Sequence, residues 1–330
     1  MSHLILHIGT HKTGTTTIQD TLWKNAGLLK KKRVIYPRLD YPHSGHHGLI
    51  AEEVGLGRAY RLQSGGIKAM AALANRYAGS EVILILSSEE FSRAEPNRSV
   101  DFDRLRRIFD QFHRVTAICF LRPQWRFLQS IYLEISKHRS PPRPPDLVHE
   151  ALSGGLCQGL YMDYSRLLDR LEKTFSSDEI KLVNFEAVRK RPGALVEAVL
   201  DQTRACARYT DLKITGDGHS NRSAPALSQW MANLVSEPYA ANAAVQSATR
   251  DICPPATPST CLTRAEVEEI TAGFHEANRN LIARRAGFQP DFQLTDPTPP
   301  PNMVYREDIS IEDWLRVGQR LARTHLVPTG

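Results

Sequence analysis

Leu4-Ile5-Leu6-His7-Ile8-Gly9-Thr10-His11-Lys12-Thr13-Gly14-Thr15-Thr16-Thr17 is the stretch that decides the fold. Its first five residues are aliphatic apart from one histidine, a short run suited to a strand buried on both faces. Gly9 and Gly14 bound a polar loop. Ile18, Leu22, Trp23, Leu28 and Leu29 then recur at helical spacing and predict a helix over Thr15 to Leu29. Strand, glycine-bounded loop and helix in that order make an anion cradle: glycines let successive amides turn toward one point, the helix N-terminus adds partial positive charge, and threonine hydroxyls add donors. Gly9, His11, Lys12, Thr13, Gly14, Thr15 and Thr16 are the candidate anion-binding residues. The pattern GxxxxGK[ST] of ATPases and kinases is not met, because Thr15 stands where that pattern has its lysine and the loop's lysine is Lys12. From inside the loop, Lys12 can reach a bridging oxygen on which leaving-group charge develops, which is a catalytic position.

Outward from this unit, strand-like runs alternate with helical ones. Arg33 to Tyr36, Val82 to Leu86, Val115 to Leu121 and Ile180 to Asn184 read as strands, and Gly66 to Tyr77, Phe102 to Phe112, Trp125 to Lys137 and Tyr161 to Phe175 as helices. Near-continuous apolar strands between helices predict an α/β fold, a doubly wound, mainly parallel sheet. Ser140 to Pro145, with four prolines, reads as a loop. After residue 205 the pattern is helical: Thr263-Arg264-Ala265-Glu266 is a capping box opening a helix to about Arg285, and Thr295 to Pro301 is a spacer before a last helix over Ile311 to Arg323. The expected organisation is one domain over 1–290, with loop-rich, substrate-side segments at 139–160 and 206–262, and a proline-rich spacer with a C-terminal helix over 291–330.

Composition narrows the class. With 41% hydrophobic and 24% charged residues the 330-residue chain is globular rather than disordered. A net charge of +6 suits anionic ligands and is too small to argue for nucleic acid. Aliphatic runs are strand-sized, short of the roughly 20 residues a membrane helix needs. The N-terminus lacks a basic signal-peptide region and reads as folded core, so a cytoplasmic location is expected. Cys119, Cys157, Cys206, Cys253 and Cys261 show no CxxC spacing, which argues against structural zinc or a disulfide framework and predicts small buried hydrophobes. No metal site is expected.

A second anion element follows Val115 to Leu121. Arg122 leaves the carboxyl end of that strand, the edge where α/β folds bind ligands, and Ser130 lies two turns along the next helix. Lys12-Thr13-Gly14-Thr15-Thr16, together with Phe120-Leu121-Arg122-Pro123, Arg126, Ser130 and Tyr132, resembles the two phosphosulfate-binding signatures of sulfotransferases that use 3′-phosphoadenylyl sulfate (PAPS). Asp163-Tyr164, Ile180 to Glu186 and the helix after Pro192 resemble later segments of bacterial members, and Asn221-Arg222-Ser223 a downstream loop. The resemblance spans about residues 3 to 285. Thr17 stands where many eukaryotic members carry tryptophan, so bacterial relatives are expected. The resemblance implies a P-loop-like phosphosulfate loop and metal-free, in-line transfer of a sulfuryl group from PAPS to a hydroxyl, for example of a glycan or lipid-linked sugar. The product is adenosine 3′,5′-bisphosphate (PAP). Lys12 would meet the bridging oxygen, Arg122 and Ser130 the 3′-phosphate, and Asn221 and Arg222 other parts of the donor.

An acceptor hydroxyl needs a base. Glu89, in Ser87-Ser88-Glu89-Glu90 after the strand Val82 to Leu86, is the first candidate, and His47, in Tyr41-Pro42-His43-Ser44-Gly45-His46-His47, is the other. A P-loop kinase-like phosphotransferase and a non-catalytic nucleotide-binding module remain alternative readings.

Overall fold

A computed structural model describes residues 1–94, 99–204, 206–213, 225–250, 252, 257–294 and 299–326. The chain forms two compact units. The first, residues 1–122, 158–220 and 276–295, holds a five-stranded parallel sheet. Its strands are β1 (His3–Gly9), β2 (Val34–Ile35), β3 (Ile83–Ser87), β4 (Arg114–Leu121) and an edge strand, Ile180–Asn184. They lie in the order β2, β3, β1, β4, then the edge strand. The fold is therefore α/β with a parallel sheet, as the alternating pattern predicts.

From β1 the chain travels out to β2, returns through β3 and then passes β1 to reach β4. The strand order thus reverses at the carboxyl end of β1, with β3 and β4 on either side. Leu6 sits beside Leu86 and Ala117 in register, and β1, β3 and nearly all of β4 are buried residue by residue. Ile5, Ile85, Ile118 and Phe120 pack with Ile18 and Leu22 of helix α1 (Thr15–Lys24) and with Val196, Val199 and Leu200 of the helix Ala194–Leu200.

The predicted helix over Thr15 to Leu29 is broken at Asn25, which separates α1 from the helix Ala26–Lys31. Asn25 Nδ2 donates to the carbonyls of Thr21 and Lys213, and its Oδ1 accepts from Lys213 N–H, so the side chain competes with the helical ladder.

The second unit, residues 123–157, 221–275 and 296–330, is mainly helical in its described residues and includes the short strand Leu156–Cys157. Pro144 and Pro145 belong to the first turn of the helix Pro144–Gly154, where a missing N–H costs nothing, so the loop is shorter than its prolines suggest. The helix Gln124–Ile135 is tied to Ala226–Ser236 through Asn233 Nδ2, which donates to Tyr132 Oη at 2.8 Å. Met231, Ala248 and Val317 form a small core flanked by Trp230 and Trp314. The capping box is present: Glu266 N–H donates to Thr263 Oγ1 and Thr263 N–H to Glu266 Oε2. Of the cysteines, Cys119, Cys157 and Cys261 are buried while Cys206 is exposed, contrary to the buried expectation; Cys253 lies outside the described residues. No helix among the described residues is long and apolar enough to cross a membrane.

Candidate active site

Gly9 ends β1 at φ 87°, and a Cβ there would lie 2.8 Å from Glu89 Cα, so glycine alone lets the two main chains meet. The register with β4 shifts between His7 and Gly9. Thr10 then fastens the loop to β4: its N–H and its hydroxyl both donate to the Phe120 carbonyl, at 2.9 and 3.0 Å. Thr13 Oγ1 donates to the Thr10 carbonyl at 2.6 Å, so this hydroxyl's proton braces the loop from within. Lys12 occupies the left-handed region at φ 60°, and Gly14, at φ 74°, caps α1. A turn with two residues of that hand inside five positions curls the backbone tightly ahead of a helix N-terminus. Thr15 and Thr16 are the first residues of α1.

Glu89 opens a short 3-10 turn, Glu89–Ser92, at the carboxyl end of β3. Ser88 caps the turn, its Oγ accepting from Glu90 N–H. Glu89 Oε2 accepts from Gln19 Nε2 at 2.9 Å and lies 4.0 Å from His47 Nδ1, which is itself 2.8 Å from Ser88 Oγ. Burial raises the Glu89 carboxyl, but His47, His11 and the Gln19 bond outweigh it and hold the group below its ordinary value. Glu90 is turned to different partners, Arg93 and His11. There too burial is overcome, by His11 and Arg93, and the carboxyl is held well below the usual range.

The neighbouring histidines do different work. His46 is buried, and Nδ1 accepts from Ser87 N–H while Nε2 lies 2.8 Å from the Pro37 carbonyl, so the ring is neutral with its proton on Nε2. Burial lowers its pKa to about 4. His43 stacks on Tyr60, with ring centroids 4.7 Å apart. His47 alone of the three reaches Glu89. Under the loop, His7 Nδ1 meets Ser87 Oγ at 2.7 Å.

Arg122 Nε donates to Glu186 Oε1 at 2.6 Å, and Arg189 pairs with the other oxygen of the same carboxylate. With 13% and 7% of their side chains exposed, Arg122 and Glu186 form a largely buried pair, not the surface contact an arginine at a strand end commonly makes. Asn184 Oδ1 caps the turn carrying Glu186. Ser130 lies in the second unit, its hydroxyl donating to the Arg126 carbonyl one turn back. Asn221 and Arg222 lie outside the described residues.

Gln19 and Glu186 were not singled out as site residues from the sequence. Gln19 has one sequence signal, a polar residue beside Ile18 on the apolar face of α1. Glu186 follows a strand and an Asn cap, as a ligand-side residue would, yet its pairing with Arg122 spans 64 positions.

No family model matches the sequence, and no curated protein matches it. Among solved structures, the chain is similar to a crystal structure of a sulfotransferase from Alicyclobacillus acidocaldarius, with 12% identity, a TM-score of 0.39 and coverage of 70% of this chain and 90% of that one. It is also similar to the sulfotransferase domain from the curacin biosynthetic pathway, with 11% identity, a TM-score of 0.35 and coverage of 83% and 96%.

Proposed function

We propose that the chain is a sulfotransferase that moves a sulfuryl group from PAPS to an acceptor hydroxyl. The observation that carries the reading is the meeting of Gly9 with Glu89. It sets a half-buried, ionised carboxylate against the base of the Lys12 loop, where the strand order reverses. An anhydride held by the loop amides would have Lys12 for its bridging oxygen and Glu89 for the incoming hydroxyl. The acceptor oxygen bonds to sulfur, the bond from sulfur to the bridging phosphate oxygen breaks, and PAP leaves with the charge Lys12 meets. Glu89 takes the acceptor's proton, with His47 beside it. Arg122, held by Glu186, serves the 3′-phosphate; Ser130, Asn221 and Arg222 are named as donor contacts by the sequence resemblance alone. The acceptor is a hydroxyl of a glycan or lipid-linked sugar, and the site of action is the cytoplasm.

Calorimetry of PAP against AMP tests this. A charge-assisted hydrogen bond is worth about 1.5–3 kcal/mol, so AMP, which lacks the 3′-phosphate, is expected to bind at least tenfold more weakly, with no Mg²⁺ needed for PAP. Equal affinities, or tight binding of ATP only with Mg²⁺, would overturn the assignment in favour of a kinase-like enzyme.

A further inference from the structure

The helix Ile311–Leu326 carries more apolar surface than its own unit covers. Val317 faces the small core with Met231 and Ala248, and Trp314 and Leu321 pack at its rim. Ile311, Leu315, Gly318 and Ala322 lie beside that arc, and at 3.6 residues per turn they fall within about 60° of one another around the axis. All four are exposed, Ile311 at 75% and Leu315 at 59%, and no atom lies within 4 Å of where a Cβ on Gly318 would stand. Two aliphatic side chains left this open, side by side on a helix otherwise lined with charge, are the kind of patch that marks an interaction surface.

The stripe is complementary to itself. Its first half sets out two large residues and its second half two small ones. When two copies of the helix run antiparallel, the register that seats Leu315 over the other copy's Gly318 also seats Ile311 over Ala322, because both pairs are centred on one point, between Arg316 and Val317. The charges agree with that register. Glu312 and Arg323 lie on one flank of the stripe, both are exposed, and neither has an ion-pair partner among the described residues. A two-fold axis keeps like flanks together, so Glu312 of each copy comes level with Arg323 of the other to within about 3 Å along the axis. The intervening arginines are engaged elsewhere, Arg316 with Asp313 and Arg320 with the Ala248 carbonyl.

We propose that this stripe is a contact between two copies of the chain, an antiparallel helix pair closed by a two-fold axis. Ile311 and Leu315 fill the hollows over Ala322 and Gly318, and a Glu312–Arg323 ion pair closes each end. One pair of 16-residue helices makes a small interface, short of the roughly 1,200 Å² of stable complexes, so the association is reversible and depends on concentration. It does not rest on the function proposed above.

Sedimentation equilibrium of the full chain, from about 1 to about 300 μM, tests this range of weak association. The weight-average mass of the wild type is expected to rise from the 37.1 kDa of one chain toward twice that value. Leu315→Ser removes a knob and Gly318→Leu fills its hollow, and each should weaken association at least about tenfold. Leucine is a better helix former than glycine, so a loss caused by Gly318→Leu is not a loss of the helix. Glu312→Arg and Arg323→Glu should each weaken association by up to about fivefold. The double variant should recover most of that loss, a rescue that unfolding cannot imitate. A wild type that stays at the mass of one chain throughout overturns the proposal. A dimer that Gly318→Leu and both charge variants leave unchanged forms through another surface and also overturns it. A wild type that remains monomeric but cosediments with phosphatidylcholine vesicles, and stops doing so on Leu315→Ser, gives the stripe to a lipid surface and overturns it too.

Discussion

Glu89 is a half-buried carboxylate under opposing demands. Burial favours its neutral form, whereas His47, His11 and the Gln19 amide favour the charged one and prevail. The group therefore enters the neutral pH range already ionised, able to take a proton without first losing one. Glu89→Gln keeps size and shape, and the hydrogen bond with Gln19 can be retained. Its expected outcome is PAP affinity within a few-fold of wild type and turnover lower by about 10²–10⁴-fold, the usual contribution of general acid–base catalysis. The sign of the pH dependence follows from the lowered value: turnover that needs the carboxylate stays level as pH falls from 8 toward 6, because protonation waits until below the ordinary glutamate value of roughly 4.3. His47→Ala is expected to act mainly on the KM for the acceptor. An acid limb near neutrality, with His47→Ala inactive at saturating acceptor and Glu89→Gln active, would move proton acceptance to the imidazole.

At the scale of elements, the strand-to-loop junction at Gly9 sets where Glu89 meets the loop. The third strand can deliver Glu89 to the loop only because no side chain stands at residue 9, where a Cβ would press on the Glu89 main chain at 2.8 Å. Gly9→Ala adds that clash to a left-handed backbone at φ 87°, a conformation costing a residue with a Cβ about 1–2 kcal/mol. The expected result is a lower urea midpoint and a loss in kcat larger than the loss in PAP affinity, since the clash displaces Glu89 directly. Unchanged kcat in a folded Gly9→Ala protein would show that this close approach does not set the carboxylate's position. These glycines and the buried strands were legible in the sequence because each is a local demand: a turn needs positive φ, and a strand covered on both faces needs apolar residues throughout. The break at Asn25 was not, since it depends on Lys213, 188 residues away. Neither was the Arg122–Glu186 pair, which exists only once β4 and the edge strand lie side by side. Glu89 and His47 were legible as separate candidates, but their separation of 4.0 Å is a product of the sheet order, which lays β2, and the loop that follows it, beside β3.

For the molecule as a whole, the sheet-bearing unit buries three histidines that must stay neutral. His3, His7 and His46 are each brought down to about 4, in every case chiefly by burial, from an ordinary value of about 6.5 in the unfolded chain. Each ring is committed to a neutral partner: His3 to Thr116 Oγ1, His7 to Ser87 Oγ, and His46 to Ser87 N–H and the Pro37 carbonyl. Above pH 6.5 both states are unprotonated, and these groups give stability no pH dependence. Between about 6.5 and 4 the unfolded chain binds protons that the folded one refuses, so stability falls as pH falls, by up to about 1.4 kcal/mol per pH unit for each histidine. Glu89 and Glu90, held low in the folded state, add nothing in the part of that window above the ordinary glutamate value; below it their contribution is lost as pH drops toward their lowered folded values. Urea unfolding followed by tryptophan fluorescence from pH 7.5 to 5 is therefore expected to show a plateau and then a decline beginning near 6.5, before any carboxylate is protonated. His46→Gln can replace both hydrogen bonds of the ring with an amide that does not titrate. It should be less stable than wild type at pH 7.5 yet lose stability less steeply between pH 6.5 and 5. A wild-type unfolding free energy that stays level across that interval would mean that these rings accept protons in the folded state, and that burial does not hold them neutral.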